Sequence, residues 1–107
     1  MSQVVDSSPA DVKTWLDEDS AVLIDVREPS ELAQTRIPGA LHMPLSMFNP
    51  DQVPTSETRK LVFLCAHGVR SHQVSQYLLD QGLLKEVYHV VEGIVGWERA
   101  GLPVETG

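Results

Sequence analysis

Leu61-Val62-Phe63-Leu64-Cys65-Ala66-His67-Gly68-Val69-Arg70-Ser71 runs from an apolar strand through a glycine loop into a helix, and the architecture follows from that order. Its first residues, with Lys60 before them, are the apolar, partly β-branched run of a buried strand, predicted over residues 60–65. A short loop with one glycine follows, and then a helical pattern over residues 71–81, with Val74, Tyr77 and Leu78 as its expected inner face and Gly82 just past its end. A strand that passes through a tight loop into a helix is half of a parallel β-α-β unit. In that arrangement the loop faces the carboxyl ends of the strands, where such folds hold their ligands.

The same alternation extends in both directions. Upstream, Ala21-Val22-Leu23-Ile24-Asp25-Val26 reads as a second doubly buried strand. Before it, Ser8-Pro9-Ala10-Asp11 reads as a helix start, with Ser8 as cap, Pro9 at the first position and Asp11 reaching back, while Val12, Trp15 and Leu16 form one apolar face. A short helix is expected over residues 30–35, a turn at Ile37-Pro38-Gly39-Ala40, and a brief strand at Leu41-His42-Met43 ended by Pro44. Downstream, Val87-Tyr88-His89-Val90-Val91 is a further strand and residues 93–100 a last helix closed by Gly101. The expected class is α/β, with a mainly parallel central sheet flanked by helices on both faces. Trp15 and Trp97 are assigned to its core.

Length and composition bound the rest. At 107 residues the chain is one domain over 1–107, able to bury roughly two thirds of its unfolded surface. Its net charge of −7 argues against a nucleic-acid surface, and no apolar stretch is long enough for a membrane span. The stretch Met1-Ser2-Gln3-Val4-Val5-Asp6 shows no basic segment followed by an apolar one, so a cytoplasmic location is expected. With one cysteine there is no intramolecular disulfide, Cys-x-x-Cys pair or cysteine-based zinc site. His42 and His89 fall within strand-like segments without a ligand partner at zinc-binding spacing, so no metal or other cofactor is expected.

Cys65 is therefore the candidate nucleophile. A lone cysteine after an apolar strand is commonly an inert buried residue, but the loop behind this one has the parts of an anion cradle. Gly68 lets the backbone turn its amides inward, Arg70 supplies a permanent positive charge, and Ser71 can cap the following helix. Converging N–H groups and a helix N-terminus both favour negative charge on sulfur. From Leu61 to Leu79 there is no Asp or Glu, so the loop itself carries no carboxylate. Asp25, Arg27 and Glu28, at the end of the first buried strand, suit an ion pair or turn-fixing hydrogen bonds better than catalysis.

Four motifs then coincide in order. Leu23-Ile24-Asp25-Val26-Arg27-Glu28 with Glu31-Leu32, Ile37-Pro38-Gly39-Ala40, the loop from Cys65 to Ser71, and Val91-Glu92-Gly93 through Trp97 to Gly101-Leu102-Pro103-Val104 together resemble the signatures of a single-domain rhodanese, a thiosulfate sulfurtransferase type of protein, over essentially the full chain. Thr35-Arg36 stands where that family commonly has Gly-His, and Ile94 where a second glycine often follows Gly93. The resemblance implies that Cys65 takes a sulfane sulfur from thiosulfate or a similar donor as a persulfide and passes it to cyanide or a thiol, by double displacement. It implies a donor site formed by Ala66, His67, Gly68, Val69, Arg70 and Ser71, with Arg70 favouring anionic donors and His67 at the mouth of the loop, either hydrogen-bonded to the donor or without a role. Small-molecule donors and acceptors are the implied partners, with a protein sulfur acceptor as a further candidate.

Two other functions share these residues. A persulfide carrier or docking module in a sulfur relay would use Cys65 in the same way with different partners. A cysteine-dependent phosphatase, or an arsenate reductase on a related fold, would also use a cysteine, amides and an arginine. The phosphatase pattern is Cys-x5-Arg, whereas four residues separate Cys65 from Arg70 here.

Overall fold

The computed structural model describes residues 3–54 and 58–106. Met1 and Ser2, part of the stretch read for a targeting signal, lie outside the described residues. The main sheet has five strands, β1 (Gln3–Ser7), β2 (Ala21–Asp25), β4 (Leu41–His42), β5 (Lys60–Leu64) and β6 (Glu86–Val90), in the order β1-β6-β5-β2-β4. Every pairing is parallel. A separate antiparallel ribbon joins β3 (Thr35–Arg36) to β7 (Glu105–Thr106).

Two apolar layers hold helices to the two faces of the sheet. On one face Phe63, Ile24, Val26 and Val87 pack with Val74, Leu78 and Leu79 of α3 (Val69–Asp80). On the other, Leu23, Val62, Leu64 and Val90 pack with Val12 of α1 (Pro9–Asp17) and with Ile94 and Trp97 of α4 (Gly93–Arg99). Alternate residues of the central strands serve opposite layers, which explains their unbroken apolar sequence. Burying each large side chain of this kind stabilises the fold by roughly 1.5–3 kcal/mol. Trp97 is fully buried and donates its indole N–H to the Pro103 carbonyl at 2.9 Å. Trp15 is only partly buried, edge-on to Tyr88 with the Lys60 ammonium over its ring.

Several elements add to these expectations or correct them. The N-terminal stretch forms β1, an edge strand on β6, although its half-exposed residues lack the continuous apolar signature. The short helix expected over residues 30–35 is α2 (Pro29–Leu32), started one residue earlier by Pro29 and a capping box between Glu28 and Glu31. Ser8 caps α1 by accepting the Asp11 N–H, but its own N–H makes no reciprocal bond to the Asp11 carboxylate. Helix α3 begins at Val69, so Ser71 lies inside it and Gly68 occupies the cap position. Tyr77 sits roughly 120° around that helix from Ser71, outside the arc facing the sheet, and is 48% exposed. The inner face is instead Ser71, Val74, Ser75, Leu78 and Leu79.

Candidate active site

The chain leaves β5 at Leu64, and Cys65 is the next residue, 1% exposed at the carboxyl end of the sheet. Its Sγ accepts the N–H of Gly68 at 3.1 Å and that of Ser71 at 3.3 Å, and the thiol lies 3.5 Å from Ser71 Oγ as a donor. The loop closes this tightly because Gly68 has φ +94°, a conformation that costs a side-chain-bearing residue roughly 1–2 kcal/mol.

The turn between β6 and α4 holds the loop from behind. Glu92 and Gly93 both have positive φ, which brings the first amides of α4 against the loop. The Ile94 N–H donates to the Cys65 carbonyl at 2.9 Å and the Val95 N–H to the Ala66 carbonyl at 3.2 Å. Both carbonyls are thus tied to α4 while the loop's later N–H groups point at sulfur. A Cβ on Gly93 would stand 2.2 Å from the Cys65 carbonyl oxygen and 2.5 Å from Ala66, so only glycine fits.

The end of β2 makes the adjoining wall. The Asp25 carboxylate accepts the Arg27 backbone N–H at 3.0 Å and its guanidinium at 2.8–3.1 Å, both side chains being buried. Arg27 also donates to the Thr35 carbonyl at 2.8 Å, and His42 Nε2 donates to the Arg27 carbonyl at 2.7 Å. This is an ion pair that fixes a turn, and neither group contacts the sulfur.

Arg70 differs from its sequence expectation. Its two terminal nitrogens each donate to a Glu31 carboxylate oxygen at 2.8 Å, a bidentate pair with side chains 34% and 30% exposed. Glu31 Oε1 also accepts the Glu28 backbone N–H at 3.0 Å. The Arg70 hydrogen bond is the main cause that pulls the Glu31 carboxyl down to about 2, with the Glu28 amide adding to it and burial opposing. The same partner raises the Arg70 guanidinium further above its ordinary value. A loop free of carboxylates in sequence therefore acquires one from α2, and the arginine's charge is compensated rather than free.

Of the loop residues singled out in the sequence, Cys65, Gly68 and Ser71 meet at the sulfur, and Ala66 contributes through its carbonyl. His67 and Val69 are exposed on the rim, and Arg70 turns aside to Glu31. Three partners escaped sequence reasoning. Glu31 carried one usable signal, its spacing from Glu28, and Gly93 carried another as part of a quoted motif. His89, whose Nδ1 lies 3.1 Å from Ser71 Oγ, carried none. Among the described residues no group of three or more His, Cys, Asp or Glu side chains could hold a metal ion, and no helix is long and apolar enough to cross a membrane.

Fold and site together define a parallel α/β domain that presents one cysteine in a loop of inward main-chain donors at the sheet's carboxyl edge. Residues 8–100 match the family model described as Rhodanese-like domain, and the chain belongs to that family. It is 34% identical over 96 residues to a thiosulfate sulfurtransferase GlpE from Actinobacillus succinogenes, covering 88% of this chain and 86% of the relative. It is also 34% identical over 96 residues to an uncharacterised Synechocystis protein, of which it spans only 53%. Among solved structures, a rhodanese-related protein from Thermoplasma volcanium superposes with a TM-score of 0.76 at 30% identity, covering 94% of this chain and 97% of that one.

Proposed function

We propose that this domain is a sulfurtransferase that carries a sulfane sulfur on Cys65. The observation that carries the reading is the pair of main-chain N–H groups, from Gly68 and Ser71, aimed at the sulfur of the sole cysteine. Such donors complement negative charge on a thiolate and, after transfer, on a persulfide. Family membership and relatives named as sulfurtransferases support the same chemistry.

In the first half-reaction the Cys65 thiolate attacks the outer sulfur of a donor such as thiosulfate. A new S–S bond forms, the donor's S–S bond breaks, and its electron pair leaves on sulfite. In the second, cyanide or a thiol attacks the outer sulfur and the thiolate is regenerated, so the kinetics are ping-pong. No step needs a metal or cofactor. A free thiol as the working group suits a reducing, cytoplasmic setting.

The pairing of Arg70 with Glu31 bears on two rivals. A guanidinium held bidentately by a carboxylate is not presented to a phosphate ester, which weighs against a phosphatase or arsenate reductase. It also lowers the attraction for anionic donors, which favours a second reading, a carrier that receives sulfur from a protein persulfide and passes it to a protein acceptor. Intact-mass measurement after incubation with thiosulfate tests the first reading. A gain of one sulfur atom that cyanide removes is expected, and an unchanged mass would refute thiosulfate as donor. Fast transfer from a protein persulfide together with negligible thiosulfate turnover would select the carrier.

A further inference from the structure

The sulfur is linked to solvent by an unbroken line of hydrogen-bonding groups that the cradle itself does not require. Ser71 Oγ lies 3.5 Å from Cys65 Sγ, His89 Nδ1 lies 3.1 Å from Ser71 Oγ, and Asp6 Oδ1 lies 2.7 Å from His89 Nε2. Ser71 is fully buried and His89 is 5% exposed, whereas the Asp6 side chain is 72% exposed. Three elements supply these groups. Ser71 is on α3, His89 on β6, and Asp6 pairs with His89 in register on the edge strand β1.

Donor and acceptor roles run in one direction along this line. The Asp6 carboxylate can only accept, so His89 Nε2 carries a proton. In the neutral ring Nδ1 is then an acceptor, and the group facing it is the Ser71 hydroxyl. With its own proton directed to His89, Ser71 Oγ is free to accept the Cys65 thiol proton. The Gly68 carbonyl, 3.3 Å from Ser71 Oγ, is the competing acceptor and is farther away.

We propose that Ser71, His89 and Asp6 form a proton relay that ionises Cys65 and holds its proton on the His89 ring beside the Asp6 carboxylate; this rests on the reading of Cys65 as the sulfur-carrying thiol. The Cys65 S–H bond breaks with its electron pair left on sulfur. Ser71 Oγ takes that proton as its own passes to His89 Nδ1, and a new N–H bond forms there. The products are a thiolate and an imidazolium paired with the Asp6 carboxylate. The thiolate is then met by the Ser71 hydroxyl as well as the two backbone N–H groups. His89 and Asp6 are positioning residues that act through Ser71.

The surroundings fit this task. An open depression of about 560 Å³ bordered by Asp6, His67, His72, His89 and Glu92 gives His89 a route to water. The His72 ring of α3 stands edge-on to His89 with centroids 5.3 Å apart, and Phe63 of β5, its other register partner, is apolar. The charged or titratable groups around His89 are therefore Asp6, His72, His67 and Glu92. Arg70 acts on the sulfur end.

Because the chain has one cysteine, its thiolate can be followed directly by ultraviolet absorbance across pH, with Cys65→Ser as the blank. This measurement needs no sulfur donor. His89→Asn is expected to lower the thiolate fraction near neutral pH roughly tenfold and to recover it when the pH is raised by one or two units. Asp6→Asn, at an exposed site that leaves the core untouched, is expected to move the curve in the same direction by less. Superimposable titration curves for both variants and the parent chain would overturn the relay, and Asp6→Asn decides alone should His89→Asn fail to fold. A displaced His89→Asn curve in a protein that takes no sulfur from thiosulfate would uphold the relay while refuting that donor.

Discussion

Replacing Glu31 by Gln removes one charge from the Glu31–Arg70 pair while leaving a side-chain oxygen to accept the Glu28 N–H. The drop of the Glu31 carboxyl from 4.5 to about 2, at about 1.4 kcal/mol per pH unit, sets a ceiling of roughly 3.5 kcal/mol on what its ionisation contributes to folding. About a third of each side chain is exposed, so solvent screening reduces this to about 1–2 kcal/mol. Because the folded value is depressed, the contribution is fully present above the unfolded value of 4.5 and is lost as the pH falls from there toward about 2. Urea unfolding of the parent chain and Glu31→Gln, measured near pH 7 and at about pH 3, reads this difference. The variant is expected to be about 1–2 kcal/mol less stable near neutrality, with the gap closing as the parent protein is acidified. A gap of the same size at both pH values would refute the ion pair as its source.

Cys65→Ser should abolish sulfur uptake in the intact-mass assay and change stability by less than about 1 kcal/mol, since the side chains are nearly isosteric; uptake by the variant would refute Cys65 as the sulfur carrier. Arg70→Ala should cost stability as well as altering donor use, because it leaves the Glu31 carboxylate half-buried without its cation; equal unfolding midpoints in urea would show that the pair contributes little. Gly93→Ala should destabilise the fold by more than about 3 kcal/mol, since its Cβ would meet the Cys65 carbonyl at 2.2 Å and φ is +60°. A near-parental stability for that variant would mean that the loop can move away from α4 at little cost.

Elements with a one-sided local pattern are legible in the amino-acid sequence. The apolar runs of β2, β5 and β6, the helices α1, α3 and α4, the glycine turn at Gly68 and the sole cysteine after β5 can be read because residues within one turn or one strand specify them. The edge strand β1 and the two ribbon strands could not be read in this way, whereas the other edge strand, β4, was announced by the Pro44 that ends it. β1, β3 and β7 exist because a partner strand satisfies their backbone, and no periodicity in their own residues announces it. The electrostatic environment of the site was likewise decided by tertiary structure. Glu31 reaches Arg70 across 39 positions and Asp6 reaches His89 across 83, so whether the loop's cation is free and whether its thiol has a route to solvent depend on how the layers pack. Short-range sterics and hydrophobic burial act between neighbours in the chain. Charge compensation and proton transfer act between neighbours in space, and these become neighbours only when the sheet closes.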